Sequence, residues 1–552
     1  MFIRCRSNSA KNKWSIMVCR TIRKGQQVSQ EIVKYLGVAH DESEREALIR
    51  LAKVEINARA DDKEELTEDS IPVKQGALLE NMVEVARITE GVHDVFGTIF
   101  DKIGLRSLLS ATMYERLKDV VICRIASPAS KRHIAEILTR EYLRGSSEDK
   151  IYRMMDTLAP LHEAIQKKVF ETSRTFSQKD QVDVLFFDVT TLAFESQKAD
   201  ELRDFGYSKD HKVGEVQVVL ALATTSDGLP IGYTLFPGKT AEVKTLLACL
   251  SEWRKVLDIQ NVMVVADRAM MSDDNLTSME EAGLRYIVAA KLRTFSQAWQ
   301  STILQRADES SVEIFGETAK IQEHEFKGRR LIVSHSESRQ KKDEADRERL
   351  LQRLQGKPLK DGKMKEKSLI TNRGYLKYFK ESVSGEVIFD EEKLKEEAKW
   401  DGLHGILTNV KEETASSLLE RYRGLWVIEE SFRINKHTLE MRPVYHFKPR
   451  RIRTHILICY LSFAVSRYVQ KQVKSFGISM SVERIREELD RVSSSLLEDI
   501  ETGERYKLPS AISTDAKFLY RSVGIKRSMR AQKVDQGRRR CSGVKKTQPV
   551  NS

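Results

Sequence analysis

With 552 residues, 40% of them apolar and 32% charged, the chain reads as an ordered protein with material for about three to five folded units. Its six cysteines (Cys5, Cys19, Cys123, Cys249, Cys459, Cys541) lie far apart with no CxxC pair, which excludes a disulfide framework and a cysteine zinc site and makes a reducing cytoplasm the expected compartment. The formal net charge of +12 sits at the ends: residues 1–30 hold seven Lys or Arg and no acid, residues 521–552 hold ten against Asp535 alone, and the body between is slightly acidic.

Residues 1–60 predict a small basic α+β module, with short strands in FIRC, WSIMVCRTI and QQVSQEIVKYL and a helix in ESEREALIRLAKVEI. The opening MFIRCRSNSAKNKW lacks the apolar run of a signal peptide. Cations in this arm, Arg20, Arg23 and Lys24 among them, suit contact with a nucleic-acid backbone through counterion release. The polar stretch ADDKEELTEDSIP reads as a linker into a second region, 61–178, that is helical by pattern. There ALLENMVEVARI, SLLSATMYERLKDVVICRI, HIAEILTREYL and KIYRMMDTLAPLHEAI show apolar recurrence at three and four, and Ser146 with Asp149 predicts an N-cap for the last. A DNA-binding region and a packing spacer are both open readings of this part.

From residue 179 the period becomes that of strands. VDVLFFDVTTLAF, VQVVLALATT and IGYTLFPGK are strand-like, the last two joined by the turn Ser226-Asp227-Gly228-Leu229-Pro230. A helix, AEVKTLLACLSEWRKVL, and a fourth strand, NVMVVADR, follow. A right-handed crossover can lay the fourth strand beside the first and parallel to it, presenting Asp188 and Asp267 together. That is an RNase H-like arrangement, with the first part of a core at 179–292. Residues 293–400 read as a β-rich insertion: strands in SVEIFGETAKIQEHEF and KGRRLIVSHS, a charged helix in SRQKKDEADRERLLQRLQ, a loop in LKDGKMKEK, and short strands through GEVIFDEEKLKEEAKWDGLHGILTN. The core resumes at 401–470. Its apolar run, 456–465, is too short for a bilayer, which needs about 20 residues, and reads as a buried helix. Residues 471–552 predict a helical C-terminal region with a basic tail, disordered beyond about residue 523. The expected class is α/β, a mixed sheet with flanking helices interrupted by the insertion.

The segment YRGLWVIEESFRINK, residues 422–436, carries the densest chemistry. Read as one helix, it sets Tyr422, Trp426, Glu429, Arg433 and Lys436 on one face at steps of four, three, four and three. A carboxylate flanked by an aromatic and two cations suits a metal beside a phosphate. Asp188, between LFF and VTTL, is costly in an apolar strand unless paired or metal-bound. Asp267 reads equally as a metal ligand and as a helix cap or a partner of Arg268. Magnesium prefers oxygen ligands and keeps waters, so three converging acids suit two ions across a phosphodiester, with no nucleophilic Ser, Cys or Tyr. Glu430, the rival of Glu429, shares its stripe with Trp426, Val427, Ile434 and His437 and reads as a structural acid. Asp401 and Asp210 are lesser candidates, Trp426 and Phe432 read as core, and His404, His446 and His455 lack metal-ligand spacing and receive no role. Lys448, Arg450, Arg451 and Arg453 read equally as an extension of a phosphate path or as a solvated loop.

Taken in order, DVTTLAFES, GYSKDHK, QVVLALATTSDGLPIGYTLFPGKTAEVKTL, VVADRAMMS, DGLHGILTN and YRGLWVIEESFRINKHTLEMRPVYH resemble bacterial insertion-sequence transposases of the DDE class. The likeness spans about 180–470 and is to the branch with a β-rich insertion and a Tyr-x2-Arg-x3-Glu-x6-Lys signature. Tyr422, Glu429 and Lys436 occupy that signature, while its Arg position holds Leu425, leaving Arg423 or Arg433 to supply the contact. The resemblance implies Asp188, Asp267 and Glu429 as catalytic, metal-binding acids, and Tyr422, Arg433 and Lys436 as DNA contacts. It implies Mg2+ (or Mn2+), two ions, and double-stranded DNA as partner, both the element's terminal inverted repeats and target DNA. It further implies a homodimer in the DNA complex, a bacterial cytoplasmic, nucleoid-associated setting, no membrane, and cleavage followed by joining of 3′-hydroxyls to the target. The residues alone leave open an RNase H-like nuclease without a joining step. They also leave a non-catalytic DNA-binding descendant, against which the presence of all three acids counts.

Overall fold

Alternating apolar residues build the N-terminal sheet of the computed structural model. Strands β1 (Phe2–Asn8), β2 (Lys13–Lys24) and β3 (Gln27–Ala39) form an antiparallel meander in that order. Period-two alternation sends Ile16 and Val18 to one face, where they meet Ala39 and Ala52 beneath Leu48, Ile49 and Ile56. The structure describes residues 1–8, 13–24, 27–39, 79–178, 184–194, 198–206, 215–240, 245–257, 262–306, 309–314, 316–355, 379–381, 387–389, 391–442 and 444–534, with single positions between 45 and 56. The expected linker, most of the helix before it, residues 207–212 with Asp210, the loop LKDGKMKEK and the tail 535–552 lie outside the described residues. The chain forms two compact units, one of Met1–Gln178, Ala193–Ser196 and Phe432–Ser552, the other of Lys179–Leu192 and Gln197–Ser431.

In the first unit, the helix expected in ALLENMVEVARI is instead a strand, β4 (Met82–Thr89). Val83, Val85, Ile88 and Thr89 favour extended backbone, and pairing with a distant C-terminal strand decides the matter. Helices α1 (Gly91–Asp101), α2 (Ala111–Ala126), α3 (Lys131–Arg140), α4 (Glu148–Leu158) and α5 (His162–Ser177) follow. The cap of α4 falls on Ser147, not Ser146: its Oγ accepts the Lys150 N–H at 3.4 Å.

The second unit is built on a mixed sheet, nine-stranded among the described residues. Its strands are β5 (Val184–Ala193), β6 (Gln217–Thr225), β7 (Pro230–Pro237), β8 (Met263–Ala266), β9 (Arg285–Ala289), β10 (Ser310–Ile314), β11 (Glu317–Phe326) and β12 (Arg329–His335). A short hairpin, β13 (Phe379–Glu381) and β14 (Val387–Phe389), stands apart before β15 (Leu403–Thr408) completes the sheet. The order is β10-β11-β12-β15-β9-β8-β5-β6-β7, with β5, β8 and β9 parallel. The helices of this unit are α6 (Thr245–Leu257), α7 (Asp273–Glu281), α8 (Gln297–Gln305), α9 (Glu337–Gln355), α10 (Glu391–Ala398), α11 (Ala415–Arg423) and α12 (Trp426–Arg433). Residues 391–398, expected among short strands, are therefore helical. Strands β10, β11 and β12, within the expected insertion, belong to the same sheet as β5–β9. They extend it because β12 pairs with β15 from Arg330↔Thr408 to His335↔Leu403.

The chain returns to the first unit through a π-helical turn, Ile434–Thr438. Helix α13 (Pro449–Ser475) is buried almost all round, as its unbroken apolar run predicts, and packs on α1, α2, α4 and α5. Beyond α14 (Val482–Asp490) the expected helical region contains two strands, β16 (Ser493–Asp499) and β17 (Arg505–Pro509), then α15 (Thr514–Ser522) and β18 (Gln532–Val534). These strands close a four-stranded sheet, β18-β17-β16-β4, whose partners stand about 400 residues apart. Order thus continues past residue 523. No helix among the described residues is long and apolar enough to cross a membrane.

Candidate active-site cleft

The parallel register of β5 and β8 runs Val184↔Met263, Leu185↔Val264, Phe186↔Val265 and Phe187↔Ala266. Asp188 and Asp267 each follow the last paired residue, so they stand at the same end of the paired stretch of two neighbouring parallel strands. Continuing that register by one residue would direct both carboxylates to one side of the sheet. Along β5, Phe187 faces Trp253 of α6, their rings 6.2 Å apart, while Phe186 and Asp188 share the opposite face. On that face lies Gly424, where a Cβ would stand 2.7 Å from the Phe186 ring.

Asp188 is partly buried, and its Oδ1 accepts the Val189 N–H at 2.7 Å. Asp267 caps the turn Arg268–Met270, its Oδ1 accepting the Ala269 N–H. The capping reading of Asp267 and a ligand role with Asp188 are compatible, since a carboxylate has a second oxygen.

The segment 422–436 is not one helix. α11 ends at Arg423, Gly424 and Leu425 form a turn, α12 runs from Trp426 to Arg433, and Lys436 falls in the π-helical turn. Close approach to Phe186 requires Gly at the break; of the five stripe residues, Tyr422 and Glu429 line one cleft, and Trp426, Arg433 and Lys436 do not. Trp426, read from sequence as core, is 60% exposed, whereas Phe432 is buried as expected. Glu429 is exposed and lines a cleft of about 1020 Å³ together with Asp267 and Tyr422; Glu430 does not line it. Tyr422 is half-buried. Burial pushes its phenol up to about 12, helped by the negative charges of Asp267 and Glu429, so one hydroxyl lies within electrostatic reach of both acids. Its ring meets His404 at 4.8 Å, and burial pushes that imidazole down to about 3, followed by Arg339 and Arg423.

Sequence reasoning missed the cations of this cleft: Arg268, Lys291 and Arg339 line it beside the acids. Arg268 adjoins Asp267 in sequence and was legible; Lys291 follows β9 and Arg339 lies in the first turn of α9, and both are visible only once the sheet is ordered. Leu425 is buried. Of the two arginines offered in place of the signature Arg, Arg423 donates to the Ile314 carbonyl at 3.4 Å and pairs with Glu317 at 3.9 Å, and Arg433 pairs with Glu483 at 3.8 Å. Asp401 is buried against Arg347 at 2.5 Å, a structural ion pair. Arg20 forms an exposed cross-strand pair with Glu31 at 2.6 Å, while Arg23 and Lys24 end β2. Arg450 and Arg451 both pair with Asp156, at 3.0 and 2.8 Å.

The donor set fits a divalent ion in part. Two carboxylates are what Mg2+, which keeps several waters, ordinarily takes from a protein. Among the described residues no three His, Cys, Asp or Glu side chains stand close enough together to hold a metal, so Glu429 does not complete a three-acid group as the chain stands.

Residues 180–464, 285 of the 552, match the family model of the transposase DDE domain. A solved piggyBac transposase synaptic complex with hairpin DNA is similar at 11% identity with a TM-score of 0.35, over 73% of this chain and 77% of that one, a likeness too slight to argue from. No curated protein matches the chain. With more than half of its length inside that model, the chain belongs to the transposase DDE-domain family.

Proposed function

We propose that this protein is an insertion-sequence transposase with an RNase H-like core, which binds the terminal inverted repeats of its element, cuts there and joins the freed 3′-hydroxyls to target DNA. The observation that carries the reading is that Asp188 and Asp267 follow the paired residues of neighbouring parallel strands, Asp267 lining a cleft that Glu429 also lines. Asp188, Asp267 and Glu429 would hold one or two Mg2+ or Mn2+ ions, which would supply an activated hydroxyl and a stabilised leaving oxygen. The gap between Glu429 and the aspartates is read as one that bound DNA closes.

The chain's own groups divide the remaining work. Arg268, Lys291 and Arg339 offset phosphate charge in the cleft. Arg339 takes the phosphate contact that Leu425 cannot make, because Arg423 and Arg433 are engaged elsewhere and no ion pair involves Arg339 among the described residues. Tyr422, held protonated through neutral pH, donates a hydrogen bond and does not act as a nucleophile. Lys436 and Arg433, beyond the break, contact DNA outside the metal site, and the basic arm with Arg20, Arg23 and Lys24 binds the element end. A homodimer holding two ends completes the reading.

The test is cleavage of a duplex carrying the element's end, then joining of a pre-cut end to a plasmid, in Mg2+. Ala at Asp188, Asp267 or Glu429 should each abolish cleavage while leaving end binding intact, with nearly the loss of the triple variant, as expected of residues acting as a unit. Glu430→Ala should keep substantial activity. A wild-type protein that cuts but never joins a 3′-hydroxyl end would make it a nuclease, and activity in all three variants would move the site elsewhere.

A further inference from the structure

Away from the acids, within the first unit, a cavity of about 450 Å³ opens at the start of α3. Arg124 and Lys131 line it and are each 3% exposed. The Arg124 Nη1 donates to the Ala129 carbonyl at 3.0 Å and Nη2 to the Glu440 carbonyl at 2.5 Å, while Nε has no partner. Lys131 Nζ lies 3.3 Å from His455 Nδ1, and His455 Nε2 is turned to the Met441 carbonyl at 3.1 Å. The second bond fixes the tautomer: Nε2 carries the proton and Nδ1 accepts from Lys131. No carboxylate pairs with Arg124 or Lys131 among the described residues. An arginine and a lysine buried without a counter-charge are costly unless the lysine gives up its proton or an anion joins them.

The local helix points the same way. The first turn of α3, capped by Ser130, holds Lys131, Arg132 and His133 and no acid, although a helix N-terminus favours negative charge. The surrounding groups register the crowded positive charge. Burial and then Arg124 push Lys131 down to about 7, and burial, then Lys131 and Arg451, push His446 down to about 3.

We propose that this cavity is a phosphate-binding site, in which Arg124 Nε, Lys131 Nζ and the α3 N-terminus share one tetrahedral oxyanion, either a phosphodiester of DNA or a free phosphate. The site is made of first-unit residues only and stands or falls independently of the acid cleft. It gives a role to His455 and His446, to which sequence spacing assigned none: they are neutral walls that keep the cations dry.

The first probe is inorganic phosphate, compared with chloride at equal ionic strength. The full-length protein should gain about 2–4 °C in Tm with phosphate. Lys131→Met should lose that gain yet melt no lower than wild type in chloride, since an unpaired buried cation is gone; Lys131→Arg should keep part of the gain. In the wild-type protein, phosphate should also move the ring-proton resonance of His446 at pH 5, as the added negative charge lets the imidazole take up a proton. Salt titration of duplex binding separates the two sources. A slope reduced by about 0.9 in Lys131→Met identifies a DNA phosphodiester, and an unchanged slope with a phosphate-sensitive Tm identifies free phosphate. A Tm that ignores phosphate in the wild type, or a gain equal in wild type and Lys131→Met, overturns the site. Mg2+-dependent cleavage by these variants reports separately on the acid cleft.

Discussion

Asp267 divides its two oxygens between jobs, and substitutions can separate them. Oδ1 caps the turn after β8; Oδ2 is left for a ligand. Asn caps as well as Asp, so Asp267→Asn should keep the melting temperature within about 1 °C while cleavage is lost, whereas Asp267→Ala should also cost about 1 kcal/mol of stability. Equal destabilisation by both, read by thermal melting, would mean that charge and not the cap holds the turn. Trp426 gives a second residue-scale test. At 60% exposure its removal should change stability by no more than about 0.5 kcal/mol, against the 3–5 kcal/mol of a core aromatic. The two aspartates stood out because each interrupts or ends an apolar run, Asp188 within its strand and Asp267 just after its own. Trp426 was misread because a large aromatic is ordinarily core, and nothing in the string YRGLW announces its exposure.

At the scale of elements, Gly424 sets where α12 begins and therefore where Glu429 points. Gly424→Ala puts a methyl 2.7 Å from the Phe186 ring, two residues before Asp188 on β5. The substitution should cost about 1–3 kcal/mol by overpacking and should reduce cleavage further than folding alone explains, because α12 and β5 are pushed apart at the acids. Urea unfolding beside a cleavage assay checks this, and wild-type activity per folded molecule would show that the junction has slack. Other elements were readable in proportion to how local their causes are. The β6–β7 hairpin and α13 follow from turn residues and an unbroken apolar run. β4, β16 and β17 do not, because each is extended only by virtue of a partner remote in sequence. Strands β10–β12 were legible as strands, while their place in the central sheet rests on the β12–β15 pairing.

For the molecule as a whole, burial of neutral histidines sets an acid limit. Burial pushes His162 down to about 4 and His446 to about 3, from 6.5. Below about 6.5 the unfolded chain binds these protons first, so stability present at neutral pH is lost as pH falls from 6.5 toward 4. The loss approaches about 1.4 kcal/mol per pH unit for each group across that window. Urea midpoints at pH 7 and 5 should therefore fall in the wild type and fall less in His162→Gln, whose only described side-chain bond is a 3.3 Å contact to Thr454. Parallel behaviour of the two proteins would remove His162 from the account.

Asp188 and Asp267 are proposed to share a divalent ion, and direct metal binding tests this apart from any step that follows. Mn2+ titrated into the DNA-free protein and followed by electron paramagnetic resonance should be bound by the wild type. Binding should weaken at least tenfold in Asp188→Asn and in Asp267→Asn, and change little in Glu430→Gln. Wild-type Mn2+ affinity in both folded Asn variants would contradict the account.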